Sequence, residues 1–301
     1  MAVDREKLRA AYEAACRDEI EALKPGNVHV FADGHGMAAA QFVESARVSS
    51  GPLTDPGLSL GERILDAVRA TRAAVGVNTN LGILLLCAPL IAAAELASIK
   101  RGAAANQGVD VSARGLRASL RDVLRTVTMD DTSAVFAAIA HASPGGLGEA
   151  EDDVRKPPTI GLIEAMGQAA ERDSIARQYV TGFADVFEIG LAALNDAGNQ
   201  GEKDMWPCIF AYMRFLSAFP DSHIARKFGA DVALWIQKEA VSVEAELRAM
   251  ADIDLRKRLL TEFDNRLKKA GINPGTSADL TVSCLLVARL RDNLHIAVDD
   301  A

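Results

Sequence analysis

Aromatic residues are scarce in this chain, at 5% of 301 residues, while alanine is abundant. That balance disfavours a β-sandwich or barrel, whose strands draw on Val, Tyr and Thr, and favours helices packed closely through small side chains. No run with a period of two is long enough to make a strand, and no internal repeat is present. The four cysteines, Cys16, Cys87, Cys208 and Cys284, stand among apolar neighbours with no CxxC spacing. Neither a zinc site nor a disulfide framework follows, and reduced, buried thiols of a cytoplasmic protein are the expectation. A basic surplus is missing too. The formal net charge of −8 argues against general nucleic-acid binding but leaves room for a local basic pocket. A secretory leader is not expected, because the segment MAVDREKLRAAYEAACRDEIEAL is charged throughout. GxxxxGK[ST], GxGxxG after a strand and GxSxG are all missing, which disfavours three common enzyme frameworks.

What is present is helical periodicity interrupted by polar turns. Apolar spacing predicts helices over 10–23, 38–48, 62–74, 81–99, 113–126 and 133–142, then one or two over 161–194, then 208–219, 225–250 and 255–269. A last helix opens near Ser277, a candidate N-cap, with Asp279 in its first turn. The stretch 49–61 (SSGPLTDPGLSLG) reads as a loop. Leu81–Ile99 is apolar almost all round but carries Pro89 and Glu95, so a central helix buried on every side is expected in place of a membrane span. The stretch 143–158, with its glycines, charge run and Pro-Pro stop, reads as a flexible loop. Elements on both sides of it have one character. The expectation is therefore an all-α fold, a single compact multi-helix domain over 1–301 with a buried central helix.

Polar chemistry concentrates in five places. The stretch 24–37 (KPGNVHVFADGHGM) packs a lysine, an asparagine, two histidines, an aspartate and three glycines into one connection, longer than helix–helix links usually are. The others are Gly76–Gly82 (GVNTNLG), Met129–Ser133 (MDDTS), Phe219–Gly229 (FPDSHIARKFG) and Gly271–Leu280 (GINPGTSADL). Converging in space, they would offer helix N-termini, backbone amides, Lys24, Arg226 and Lys227 to phosphates. Asp130, Asp131, Asp221 and Asp279 would suit Mg²⁺ through oxygen ligation. That mixture fits a nucleoside triphosphate. Each piece also has a plainer reading: Asp131 or Thr132 as a helix cap, His35 as a turn residue, Asn78 and Asn80 as turn-formers, Arg226-Lys227 as a solvated helix face.

At these residues the sequence resembles the triphosphoribosyl-dephospho-CoA synthase family (ATP:dephospho-CoA triphosphoribosyltransferase), over about residues 10–290. Glu19 followed by Lys24-Pro-Gly-Asn27-Val28 resembles its early Glu…Lys-Pro-Gly motif. Gly34-His35 with Met37 resembles a Gly-x-His-x-x-Met turn shortened by two residues. Gly76-Val-Asn78-Thr79-Asn80-Leu-Gly82 matches Gly-Val-Asn-Thr-x-x-Gly, the most specific piece, and Asn273-Pro-Gly-Thr-Ser277-Ala-Asp279-Leu280 resembles Ser-Pro-Gly-Gly-Ser-Ala-Asp-Leu. The resemblance implies attack at C1′ of the ATP ribose, departure of adenine, and transfer of a triphosphoribosyl group to a hydroxyl of dephospho-CoA. An anomeric displacement has oxocarbenium character, so a nearby carboxylate helps. Glu19 is the choice for that role or for activating the acceptor. His35 or Asn80 would meet the departing adenine. Lys24, Asn27, Asn78, Thr79, His223, Arg226, Lys227 and Ser277 would hold the nucleotide, and Mg²⁺ on Asp221 or Asp279 would neutralise the triphosphate.

Two departures stand out. Asp221-Ser222-His223 replaces Asp-Thr-Asn, and Lys227-Phe228-Gly229 replaces Arg-Gly-Gly. The segment 129–158, with Asp-Asp-Thr and Pro-Gly-Gly-Leu-Gly, is similar to a divergent branch found among archaea and bacteria of one-carbon metabolism. For that branch a tetrahydromethanopterin- or methanofuran-type precursor is the alternative acceptor. A different reaction on a phosphorylated substrate and a non-catalytic nucleotide-binding protein stay open as well. No membrane or nucleic-acid partner is expected, and the alanine-rich helical surface is compatible with a homodimer.

Overall fold

The computed structural model describes residues 4–105, 115–142 and 157–298. Among these residues the fold is all-α, with two isolated antiparallel bridges (His29 with Ala32, Gly34 with Met37) in place of any sheet. The helices are α1 (Arg5–Glu21), α2 (Ala39–Leu53), α3 (Leu60–Val75), α4 (Leu81–Ala105), α5 (Leu116–Arg125), α6 (Met129–Ala142), α7 (Leu162–Ala169) and α8 (Ser174–Thr181). A π-helical segment (Asp185–Gly190) then leads into α9 (Leu191–Asn199), α10 (Trp206–Ala218), α11 (Ser222–Phe228), α12 (Ala230–Ala249), α13 (Ile253–Lys269) and α14 (Gly275–Leu294).

The centre is built by α4 and α14, packed on each other, with α1 against α14 and with α5 and α3 against α4. Leu84, Leu86, Leu90 and Ile91 of α4 are fully buried, and so are Cys87, Ala88, Ala93 and Ala94 between them. The small residues let neighbouring backbones approach, and the leucines and isoleucine each contribute about 1.5–3 kcal/mol of burial free energy. This helix is long and apolar enough to cross a membrane by composition, yet 78% of its most apolar window is covered by protein. It runs unbroken through Pro89. The ring of helices around it also explains α14, whose Leu280, Val282, Cys284, Leu286, Val287 and Leu290 are buried on several sides at once.

Several boundaries differ from the periodicity: α1 spans Arg5–Glu21 in place of 10–23, and 161–194 holds α7, α8, a π-helical segment and the start of α9 in place of one or two helices. Helix α2 continues through Ser49-Ser50-Gly51-Pro52, because tertiary bonds outweigh the local turn signals. Tyr12 and Ser49 share a hydroxyl bond of 2.9 Å, and Ser50 donates to Glu13 at 2.6 Å. The segment 225–250 is two helices, broken at Gly229 with φ +93°. Helix α6 starts at Met129: Asp131 reaches back to the Thr128 amide at 3.0 Å while Thr128 Oγ1 accepts from the Asp131 amide at 3.1 Å. Thr128 is thus the cap and Asp131 its reciprocal partner. Helix α4 extends past its expected end at Ile99 to Ala105. The loop expected over 143–158 lies outside the described residues except for Pro157 and Pro158.

Candidate active site

The connection between α1 and α2 folds around one buried cation. Helix α1 ends at Glu21, where Ala22 turns extended ahead of Pro25 and Gly26, and Lys24 turns inward until none of its surface is exposed. Its ammonium meets the Glu19 carboxylate in an ion pair, donates to Asn27 Oδ1 at 2.8 Å, and donates to the Val28 carbonyl at 2.9 Å. All three donors of the lysine are therefore engaged within the protein. Burial raises the Glu19 pKa above the ordinary carboxylate range, and the charge and hydrogen bond of Lys24 oppose that rise. Asn27 passes the restraint on, donating to Asn273 Oδ1 at 2.8 Å in the turn before α14.

Helix α13 clasps the same loop from outside. Asp264 accepts from the Gly26 amide at 2.8 Å, lies 3.3 Å from His29 Nε2 and pairs with Lys268 at 3.1 Å. Lys268 also donates to the Ala32 carbonyl at 3.0 Å. Gly26 has φ +81°, and an added Cβ would stand 2.8 Å from Leu267 and Pro274, so only glycine fits. Its carbonyl accepts from His35 Nε2 at 2.8 Å, and Tyr212 donates to the Pro25 carbonyl at 2.6 Å. His35 itself is half-buried at φ +56°.

Beyond this loop, the N-termini of four helices meet. Asp221 caps α11 through the amides of His223 (2.9 Å) and Ile224 (3.1 Å) with one oxygen. Its other oxygen accepts from the Ser277 amide (2.7 Å) and hydroxyl (2.8 Å) in the first turn of α14. Ser277 is thus not the N-cap; α14 begins at Gly275, and Asp221 caps it from another helix. Ser222 donates to Ser174 at 3.0 Å, joining α11 to the start of α8. Asp173 caps α8 through the Ile175 and Ala176 amides and holds Arg226 at 2.9 Å. The start of α4 closes the ring: a Cβ added at Gly82 would overlap the Asp279 carboxylate and stand 2.7 Å from Ile175. Four positive dipole ends pointing at one place favour negative charge there.

Asp279 occupies that place. It is half-buried, and no hydrogen bond to its carboxylate is present among the described residues. Burial lifts its pKa well above the carboxylate range, and repulsion from Glu19 and Asp221 adds to this, while Arg226 opposes it. Its neighbour His223 is pushed down to about 4, by burial first and then by the charges of Arg226, Lys227 and His35, so its imidazole is neutral at pH 7. His223 packs so closely on Gly275 that a Cβ there would overlap its ring.

The turn Asn78-Thr79-Asn80 forms the wall opposite. Asn78 Oδ1 accepts from the Leu81 amide at 3.1 Å and so caps α4. The Thr79 and Ser45 hydroxyls lie 2.6 Å apart, and Asn80 Nδ2 lies 3.5 Å from Ser49 Oγ. A narrow cleft lies between this turn and α1, lined by Tyr12, Cys16, Phe42 and Ile83 with Glu19 and Asn80 as its polar residues.

The structure thus brings Glu19, Lys24, Asn27, His35, Asn80, Asp221, His223, Arg226, Ser277 and Asp279 into one region. Lys227 is exposed, its ammonium 5.3 Å from the Phe228 ring. Asp130 and Asp131 are not part of this region. Asp130 is exposed. Asp131 accepts from the Gly61 amide at 2.8 Å at the far end of α3, about 20 Å along that helix from the Gly76 turn. Burial opposes its ionisation, but hydrogen bonds from Gly61, Thr128 and Ser59 outweigh that and hold its pKa below the ordinary range. Asp131 therefore ties α6 to α3. Sequence reasoning missed Asp173, Asp264 and His29, which carry no local motif and act across separations such as the 238 positions between Gly26 and Asp264.

A magnesium ion fits one part of this geometry. Among the described residues no three His, Cys, Asp or Glu side chains form a group able to enclose a metal. Mg²⁺ seldom needs one, since it takes one or two carboxylates, waters and substrate phosphates. Asp279 has free lone pairs; both oxygens of Asp221 are occupied by helix amides and Ser277.

The model of the ATP:dephospho-CoA triphosphoribosyl transferase family matches residues 5–297. Among solved structures, a protein from Archaeoglobus fulgidus provisionally named triphosphoribosyl-dephospho-CoA synthase is similar at 26% identity and a TM-score of 0.59, covering 81% of this chain and 97% of that one. No curated protein sequence matches the chain.

Proposed function

Because this chain belongs to the ATP:dephospho-CoA triphosphoribosyl transferase family, we propose that it moves the triphosphoribosyl group of ATP onto a hydroxyl of dephospho-CoA in the cytoplasm and releases adenine. The observation that carries this reading is the convergence of four helix N-termini on an unpaired carboxylate, Asp279, beside the buried Glu19–Lys24 pair. N-termini and Arg226 suit a triphosphate. Carboxylates suit an anomeric carbon that gains positive charge.

In the reaction the acceptor oxygen bonds to C1′ of the ATP ribose and the C1′–N9 bond breaks. The acceptor hydroxyl loses a proton and adenine takes one up. Glu19, lining the cleft with a raised pKa, is the group to accept the acceptor's proton. Lys24 binds no substrate in this scheme; it fixes Glu19 and sets its charge. Asn80 lines the same cleft, and in this scheme it hydrogen-bonds the leaving adenine. Asp279 would hold Mg²⁺, which neutralises the triphosphate. Neutral His223 and paired Arg226 border the phosphates, and His35 supports the loop through Gly26.

Incubation with Mg²⁺, ATP and dephospho-CoA should release one adenine per triphosphoribosyl group transferred. ADP or inorganic phosphate as the nucleotide-derived product, with no adenine, would overturn the reading. His223 and Phe228 stand where the family has asparagine and glycine, which favours testing a tetrahydromethanopterin- or methanofuran-type precursor in the same assay. Adenine release with that acceptor and none with dephospho-CoA would keep the donor chemistry and change the acceptor.

A further inference from the structure

Helix α12 carries a face that the rest of the chain leaves uncovered. Its inner positions, Ala233, Ile236, Ala240, Val243 and Leu247, pack into the core. Its outer positions include three large apolar side chains: Trp235 at 59% exposure, Val241 at 50% and Leu234 at 41%. Tryptophan is rarely left in water to this extent, and here one of the chain's two tryptophans lies beside a leucine on a regular helix. Ala245 and Ala249 are exposed on the same face.

The charges on this face are arranged in a complementary way. Lys238 and Glu246 are both exposed, and neither has an ion-pair partner among the described residues, although Glu239 and Glu244 beside them do. Lys238 lies four residues before Ser242, and Glu246 lies four after it. Trp235 lies seven before Ser242, and Ala249 seven after it. An antiparallel pairing of two copies about Ser242 therefore sets each Lys238 level with the other Glu246. It also sets each Trp235 level with the other copy's Ala249, large against small. A parallel pairing would put like charges level, which costs affinity.

We propose that the α12 face is the contact of a two-fold homodimer, with Trp235 as its apolar anchor and the Lys238–Glu246 pairs fixing its antiparallel register. The partner is a second copy of this chain because the complementary charges and sizes lie on the same helix, as an isologous interface requires. Aromatic anchors in such contacts carry much of the binding energy.

The test is light-scattering mass and sedimentation of the full chain at micromolar concentration. The wild type should have twice the chain mass. Trp235→Glu should be monomeric with an unchanged helical circular dichroism spectrum, since most of the side chain it replaces lies in solvent. Lys238→Glu should weaken the dimer about tenfold or more by facing Glu246 with a like charge. Lys238→Glu combined with Glu246→Lys should restore it. A wild type that stays monomeric, whether or not the face binds another molecule, would overturn the proposal. A Trp235→Glu dimer, or a charge swap that fails to rescue, would overturn it as well.

Discussion

At the scale of the residue, Asp279 and Glu19 are two carboxylates in opposite circumstances. Glu19 is enclosed with a cation, and Asp279 is half-buried, with no hydrogen bond to its carboxylate among the described residues and with the carboxylates of Glu19, Asp221 and Asp173 around it. An acid whose pKa is raised by folding binds its proton more tightly in the native state. Stability therefore falls as pH rises from the ordinary carboxylate range through the folded value. Asp279→Asn removes that cost. Its melting temperature should exceed the wild type's at neutral pH without Mg²⁺, and the gain should vanish as pH falls into the ordinary carboxylate range. Its rate of adenine release should fall about 10²-fold or more. Glu19→Gln has the opposite effect on stability. It strands the fully buried Lys24 charge and should cost about 3–5 kcal/mol in denaturant unfolding, much of which Glu19→Gln with Lys24→Met should recover. Lys24 was legible as important from Lys-Pro-Gly, but its inward turn was not. The sequence shows a lysine in a polar loop; only the fold shows that Asn27, Val28 and Glu19 take all its protons.

At the scale of the element, the site depends on where helices begin. Gly82 is the second residue of α4, and its missing side chain is the space that Asp279 fills. Gly82→Ala should displace Asp279 and lower adenine release at least about 10-fold, although alanine is the better helix former. Gly198 of α9 supplies the control, since an added Cβ there meets nothing within 4 Å. Gly198→Ala should leave activity unchanged and stabilise the chain by up to about 1 kcal/mol in the same unfolding assay. Most helices could be read from apolar spacing. The failures came where long-range bonds override local signals, as in the Tyr12–Ser49 contact that carries α2 past its glycine and proline. The reverse happened at Gly229, where apolar residues on both sides read as one helix while a positive φ makes two.

At the scale of the whole molecule, a chain of net charge −8 gathers four helix N-termini and Arg226 around one acidic side chain. Local fields of this kind bind anions that the overall charge would repel. Mg²⁺ with ATP should therefore raise the melting temperature, equivalent to about 2.7 kcal/mol at a ligand concentration of 100 times Kd. Asp279→Asn should reduce that shift by weakening the metal-linked share of binding.

The sequence by itself determined the helical class, the buried α4 and the family motifs, because apolar spacing and short polar turns are local properties. It also pointed to Asn78-Thr79-Asn80, whose cap on α4 is a bond between residues three apart. Only the tertiary structure decided which acids share a site. Asp130 and Asp131 looked like ligands and lie at the other end of α3, while Asp221 is consumed by capping two helices and Asp279 is left free. An aspartate's role depends on what occupies its lone pairs. Here the deciding partners are Gly61 for Asp131 and Ser277 for Asp221, 70 and 56 positions away, separations that no local pattern records.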